Sequence, residues 1–521
     1  MLTAHPDSID ILVENGVVTA AGGRVRLEET PAGLRILCHS TEPLRRILLR
    51  WNTAIPRHAA VLADHWERGY GDREWRGLVA ERVLPWYAIV HDAKFDTSAG
   101  YGVRTGASSF ASWRIDQQGV TLVLDVRNGD RGVVLGNREL CAAIVVSLSS
   151  NVGESPFAFG QRFCKSLCAA PRLSPKPIYG GNDWYSRYGE NSAETVKQDA
   201  GLIRELSPDR SNPPVFVIDA GWSPTGSCNG APYDRGASGF PDMASVAAWM
   251  RSHEIRPGIW IRPLLTTEKV PASWRVSQKH PFGGQTSSYL DPSIPEVLDL
   301  VKTDIHRLVA WGYEVIKHDF TTYDILGRWG FEMGGEITSG GWSFADRSRT
   351  TAEVITALYQ AIREAATSSI IIGCNTLGHL TAGLYELQRS GDDTSGRHWE
   401  RTRKMGINTL AMSMIQHNHF FSVDADCVAI MSDVPWKLTQ QWLDVVARSG
   451  TPLFVSPHPQ ATGKEQRKAV QHALGLAAMA QSPGEPLDWL WTTSPEQWKF
   501  ADGTTKTYQW NDYRGSVDPC P

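Results

Sequence analysis

The sequence predicts a multidomain α/β protein: a (β/α)8 TIM barrel, preceded by an N-terminal antiparallel β-sandwich and followed by a short C-terminal β segment. Three observations carry this. Before about residue 170 the chain is built of short β-rich segments such as "GLRILCHS", "GVTLVLDVRN" and "CAAIVVSLSS", punctuated by Gly, Asn and Asp. After "PRLSPKPI" it changes to strand, loop and amphipathic helix in alternation. The last stretch, "EQWKFADGTTKTYQWND", reads as a terminal hairpin with Asp-Gly at its turn. The boundaries this implies are 1–170, 171–482 and 483–521.

Within the central region the expected strands are "PIYGGNDW", "PVFVIDAGW", "RPGIWIRPLL", "YEVIKHDF", "SIIIGCN", "LYELQRSGDD", "FFSVDADCV" and "TPLFVSP". Between them, apolar residues recur at three- and four-residue steps in "SAETVKQDAGLIREL", "MASVAAWMRSHE", "IPEVLDLVKTDIHRLVAW", "TTAEVITALYQAIREAA", "GRHWERTRKMGINTLAMSM" and "VPWKLTQQWLDVVARS". Eight strands alternating with helices over roughly 300 residues is what a (β/α)8 barrel requires. A doubly wound sheet has fewer strands and often a glycine-rich phosphate turn. "GGNDWYSRYG" lacks the lysine of a phosphate loop and the spacing of a dinucleotide site.

Composition narrows the function. Hydrophobic residues make up 41% and charged residues 21% of the 521, a folded globular balance. With 52 basic and 56 acidic residues, net −4, there is no basic surface for nucleic acid. No run approaches the roughly 18 apolar residues of a membrane span, and the opening "MLTAHPDSIDILVENG" reads as folded sequence, not a secretory signal. The eight cysteines form no metal-type doublets or disulfide framework. The expectation is a reduced, cytoplasmic enzyme without cofactor or metal. The 20 tryptophans fill core for the most part, but indole faces also serve as platforms for the C–H faces of sugars.

In a barrel, catalytic groups sit at the C-terminal ends of the strands. Here those ends carry Asp183 and Trp184; Asp219 and Trp222; Trp260 and Arg262; Lys317 and Asp319; Cys374 and Asn375; Arg389, Asp392 and Asp393; and Asp424 and Asp426. Lys317 and Asp319 are two apart on one strand and share a face. A helix cap or a structural ion pair explains any one such Asp equally well. Seven strand ends together predict an aromatic cleft rich in carboxylates. Paired carboxylates in such a cleft suit glycoside hydrolysis, with one attacking the anomeric carbon and one protonating the leaving oxygen. A metal site is the competing use, with His417 and His419 in "IQHNHFF" as its donors, but the acids lack the close spacing of an oxygen-ligand site.

The motifs resemble the retaining α-galactosidases of the melibiase type, glycoside hydrolase family 36, with relatives in family 27 and more distantly family 31. The resemblance spans roughly residues 175 to 460, and the β-rich region before it matches the family 36 layout. "IKHDF" resembles the Lys-x-Asp of the fourth strand, which implies Asp319 as nucleophile and Lys317 on sugar hydroxyls. "QRSGDDTSG" resembles the sixth-strand segment of the acid/base, implying Asp392, with Asp393 as the second choice and Arg389 close to a sugar-contacting arginine. "VIDAGW" resembles a second-strand Asp-Asp-x-Trp, "DADCV" the segment that places Asp426, and "GIWIRP" the third-strand aromatic segment with Trp260 and Arg262. Asp183, Trp184 and Asn375 complete the expected substrate contacts.

One departure bears on the sugar. Ala220 stands where the resemblance puts a second sugar-binding Asp, which implies a glycone altered at that position. The resemblance thus implies a retaining exo-α-glycosidase acting on a terminal galactose or galactose-like sugar. The alternatives are a transglycosylase of the raffinose-synthase sort and a non-catalytic carbohydrate-binding barrel. A homo-oligomer is also expected, with the loop "ADHWERGYGDREW", Ala63 to Trp75, bordering a neighbour's site or packing on its own sheet.

Overall fold

The computed structural model describes residues 2–3, 5–14, 16–19, 24–209, 211–277 and 287–511. The N-terminal region forms two antiparallel sheets, one of six strands and one of seven. In the strand Leu44–Asn52, alternate residues Ile47, Leu49 and Trp51 are buried, the period of two that sets one face of a sheet inward. Its neighbour Gly119–Asp125 pairs with it in matching register, Leu122 opposite Leu49 and Leu124 opposite Ile47. The helix Pro156–Leu167 follows, capped by Ser155 and buried through Phe157, Phe159 and Phe163. The β-rich reading of this region omits that helix.

The central sheet has nine strands, all parallel. In chain order they are Tyr179–Asn182, Val215–Ile218, Arg256–Ile261, Val315–His318, Ile370–Gly373, Leu387–Arg389, Ser422–Asp424, Cys427–Ile430 and Leu453–Pro457. The first six and Ser422–Asp424 pair in sequence order; Leu453–Pro457 pairs with the first strand, and Cys427–Ile430 with Leu453–Pro457. The two end strands of this curled sheet are therefore halves of one stretch, parted only by Ala425 and Asp426. Asp426 makes the break, with φ 70°. Strands such as "VFVI" are buried at every position because helices cover the outside.

The expected helices form at Ala193–Leu206, Met243–Ser252, Pro295–Trp311, Thr351–Ala365 and Trp436–Arg448. Their ends follow local chemistry. Ser192 and Thr350 make reciprocal capping boxes with Thr195 and Glu353, and Gly312 at φ 97° ends the Pro295–Trp311 helix. "GRHWERTRKMGINTLAMSM" departs from a plain helix: Trp399–Thr402 and Thr409–Ser413 are α-helical, and Arg403–Asn408 between them is a π-helix. A helix absent from the sequence reading, Lys464–Ala477, follows the last strand.

At the C-terminus the expected hairpin, Gln497–Lys499 with Thr505–Thr507, turns at Asp502 and Gly503 (φ 80°) and gains a third strand, Glu485–Pro486. Residues 512–521 of this segment lie outside the described residues. No helix among the described residues is long and apolar enough to cross a membrane.

Candidate active site

The C-terminal ends of the parallel strands open into a cavity of about 560 Å3. Its wall carries seven of the residues singled out in the sequence: Trp184, Asp219, Trp260, Lys317, Asp319, Asp392 and Asp393. Ala220 and Cys228 lie on the same wall.

Asp319 follows the fourth strand and is held by neutral donors. Trp260 Nε1 donates to its Oδ2 at 3.0 Å, and the backbone N–H groups of Phe320 (2.8 Å) and Asn375 (3.1 Å) donate to Oδ1. Burial by itself would push this carboxyl up. The charges of Lys317 and Arg68, with the Trp260 and Phe320 donors, outweigh it and hold Asp319 below the ordinary carboxylate value. The Lys317 ammonium pairs directly with another group, Asp219, at 2.6 Å. Asp219 also accepts from Asn182 Nδ2 at 2.7 Å and from the Ala220 N–H at 2.9 Å.

The adjacent aspartates of the sixth-strand loop differ. Asp392 lies between two guanidiniums, Arg68 at 2.6 Å on Oδ1 and Arg401 at 2.7 Å on Oδ2. Asp393 has one such contact, Arg389 at 3.2 Å, and its side chain is 40% exposed to the cavity. Enclosure by the walls, and next the charge of Asp392, push Asp393 up to about 6 against the pull of Arg389.

The other expected site residues lie off the cavity wall, each tied into the support behind it. Asp183 accepts the backbone N–H of Asp219 at 2.7 Å and the Asn191 amide at 3.1 Å; burial and the nearby Asp219 charge push it up to about 7. Arg262 spans to the buried Asp324 at 2.6 Å and lies over the Phe320 ring. The Asn375 side chain bonds Glu67 at 2.9 Å. Arg389 is a hub for Asp393, Asp424 and Asp426, the last at 2.7 Å. Asp426 takes further donors from Tyr185 and Thr394. His417 spends both ring nitrogens on backbone groups of Gly450 and Val423.

The sequence reading missed the contribution of the N-terminal region. The loop around "WERGYG" neither stays on its own sheet nor needs a second chain: it enters this chain's own cavity, where Arg68 and Tyr70 form part of the wall. Gly69 clamps it in place, donating to Ser390 O and accepting from the Asp392 N–H, both at 2.8 Å. A Cβ on Gly69 would meet Thr409 Cγ2 at 2.7 Å, and one on Gly391 would meet Met405 O at 2.0 Å. Only glycines permit this approach. The density of Trp and charge in the loop was the available signal. Trp329, Phe331, Arg401, Lys404 and Met405 also line the cavity, and nothing in their local pattern marks them.

Fold and site together define an enzyme-like cleft at the carboxyl ends of a parallel sheet, with paired acids between aromatic walls. No family model and no curated protein matches the sequence. Solved structures do. The α-galactosidase TtGalA of Thermus thermophilus, in complex with p-nitrophenyl α-D-galactopyranoside, matches with TM-score 0.62 at 17% identity over 98% of each chain. A variant of the family 36 α-galactosidase AgaA of Geobacillus stearothermophilus, in complex with raffinose, matches with TM-score 0.61 at 13% identity over 95% of this chain and 79% of that one. A cycloalternan-degrading enzyme of Trueperella pyogenes matches with TM-score 0.55 at 13% identity, over 92% and 78%. At these identities the likeness is one of fold.

Proposed function

We propose that this chain is a retaining, exo-acting α-glycoside hydrolase that removes a terminal α-linked galactose or galactose-like sugar. One observation carries the reading. A carboxylate held ionised, Asp319, and a carboxyl pushed up to about 6, Asp393, face one aromatic-walled cavity. The α-galactosidase activity named for TtGalA and AgaA, which share the fold, supports the choice of sugar.

In this reading Asp319 attacks C1 while the Asp393 carboxyl gives its proton to the glycosidic oxygen. The C1–O bond breaks, the leaving group departs with that proton, and a glycosyl ester forms on Asp319. The Asp393 carboxylate then takes a proton from water, whose oxygen attacks C1 and frees Asp319, so the anomeric configuration is retained. Asp393 takes the acid/base role in preference to Asp392 because its side chain opens to the cavity with a single guanidinium contact. Both Asp392 oxygens are held by guanidiniums.

Asp219, Lys317, Trp184 and Trp260 contact the sugar, while Asp183, Arg262, Asn375, Arg389 and Asp426 hold those groups in place. The same reading takes the parallel sheet as a (β/α)8 barrel whose seventh strand is broken at Asp426. It takes the N-terminal sheets as a sandwich, with boundaries at 1–170, 171–482 and 483–521.

The test is turnover of p-nitrophenyl α-D-galactopyranoside. Asp319→Ala abolishes it and azide partly restores it as the glycosyl azide; Asp393→Asn retains part of it but loses turnover of an alkyl α-galactoside, whose poor leaving group needs the acid, while Asp392→Asn keeps part of both. Undiminished turnover by Asp319→Ala refutes the mechanism.

A further inference from the structure

The hydrogen bonds that orient Asp319 lead back to the N-terminal region. Of its three donors, Phe320 is the chain neighbour and moves with it. The other two belong to the strands on either side: Trp260 stands on the third strand and Asn375 just past the fifth, and both strands pair with the fourth. The Asn375 N–H, at 3.1 Å, therefore ties Asp319 Oδ1 to a neighbouring strand. The direction of that N–H depends on how Asn375 itself is held.

Asn375 is wholly buried. Its carbonyl accepts the Thr322 N–H and its Oδ1 the Tyr323 N–H, both at 3.2 Å, from the helix Thr321–Leu326. Its Nδ2 donates to Glu67 Oε2 at 2.9 Å, 308 residues away along the chain. Glu67 is itself fixed. The Tyr70 hydroxyl donates to its Oε1, and a Cβ on Gly330 would meet its Cγ at 2.6 Å. A carboxyl sealed in this way is costly, and burial pushes it up. Arg68 lies 3.6 Å from it but makes its closer pair, 2.6 Å, with Asp392. An apolar side chain of the same length would fill the space without that cost, yet it would strand the buried Asn375 amide without an acceptor.

We propose that Glu67 is a positioning residue for Asp319: by holding the Asn375 side chain it fixes the N–H that orients the attacking carboxylate. The N-terminal region is then part of the catalytic machinery and not an appendage to the barrel. The inference rests on the glycosidase reading, in which Asp319 attacks C1. An attacking oxygen displaced by even a fraction of its reach loses much of its rate, so a contact one residue removed from the chemistry is enough to matter.

The test follows kcat/KM for p-nitrophenyl α-D-galactopyranoside beside the inhibition constant of galactose, which binds without reacting. Glu67→Met keeps the volume and removes the acceptor. It is expected to lower kcat/KM about thirtyfold while the galactose constant moves less than about twofold, because alignment counts only where Asp319 meets C1. Glu67→Gln keeps an acceptor for Asn375 and restores most of the rate. In an Asn375→Ala background, Glu67→Met has little further effect, since the two act through one contact. An unchanged kcat/KM, an equal loss in both constants, no recovery in Glu67→Gln, or losses that multiply in the double variant overturn the inference and leave the glycosidase reading standing. If the native protein turns over no galactoside, that reading fails by itself, and crystal structures of the native protein and Glu67→Met decide the positioning role. An Asp319 carboxyl turned away from the Asn375 N–H in the variant upholds it; an unmoved one overturns it.

Discussion

The Lys317 ammonium is bonded to Asp219, across two strands, at 2.6 Å, while Asp319, two residues along its own strand, takes its hydrogen bonds from Trp260 and backbone amides. Lys317 therefore acts on Asp319 through space, as charge, and on Asp219 by direct contact. Among the described residues no cation bonds an Asp319 oxygen directly.

Lys317→Met tests both halves of that arrangement. It leaves Asp219 buried with amide donors alone, and breaking a buried pair in this way costs about 3–5 kcal/mol, read as a lower midpoint in urea. It also removes the largest charge holding Asp319 down, so the Asp319 carboxyl rises. In the proposed mechanism Asp319 must be ionised to attack, so activity is expected to be lost as pH falls through its pKa. The acidic limb of the kcat/KM profile is expected to move to higher pH, and an unmoved limb refutes the coupling.

The native profile should be bell-shaped. Its acidic limb lies below the ordinary carboxylate range, because Asp319 is held down. Its basic limb is expected near about 6, where Asp393 loses the proton that the proposed mechanism has it donate. Asp392→Asn removes the charge that raises Asp393, so the basic limb shifts to lower pH. A shift upward, or none, assigns the limb to another group.

Asp183 links pH to stability. Its folded pKa, about 7, lies above the ordinary 3.8. Below the unfolded value both states hold the proton and stability is at its fullest. Between there and about 7 the unfolded chain releases the proton while the folded one keeps it, so stability falls as pH rises, by at most about 1.4 kcal/mol per unit. Asp183→Asn should flatten that slope in denaturation series across the range; an unchanged slope rules the assignment out.

Gly391→Ala drives a methyl group to 2.0 Å from Met405 O and 2.4 Å from Thr409 Oγ1. The π-helical turn must retreat, at a cost of about 1–3 kcal/mol as for other overpacked sites. Because that turn carries Lys404 and Met405 into the cavity, thermal midpoint and kcat/KM should fall together. A fall in stability alone separates the turn from the site.

The alternation of eight apolar strands with amphipathic helices was legible because burial on both faces of a parallel sheet leaves continuous runs such as "IIIG", and each helix shows its inward stripe. Strand-end acids were legible for a related reason: a charge closing an apolar run stands out against it. Lys464–Ala477 was not, because its buried residues, Val470, Ala473, Leu474 and Ala477, include two small alanines in a polar surround. Nor was the π-helix Arg403–Asn408, whose Met405 and Lys404 lie against Gly391 and Gly71 of segments remote in sequence.

The sequence by itself determined which side chains stand at the strand tips, since periodicity along one segment fixes that locally. Only the tertiary structure decided their partners: that Lys317 binds Asp219, that Arg68 crosses from the N-terminal sheets to Asp392, and that Asp393 keeps the raised carboxyl. Those outcomes depend on burial and on charges brought within a few ångströms by the fold, as Arg68 of the N-terminal region is brought to Asp392. No local pattern encodes a distance of that kind.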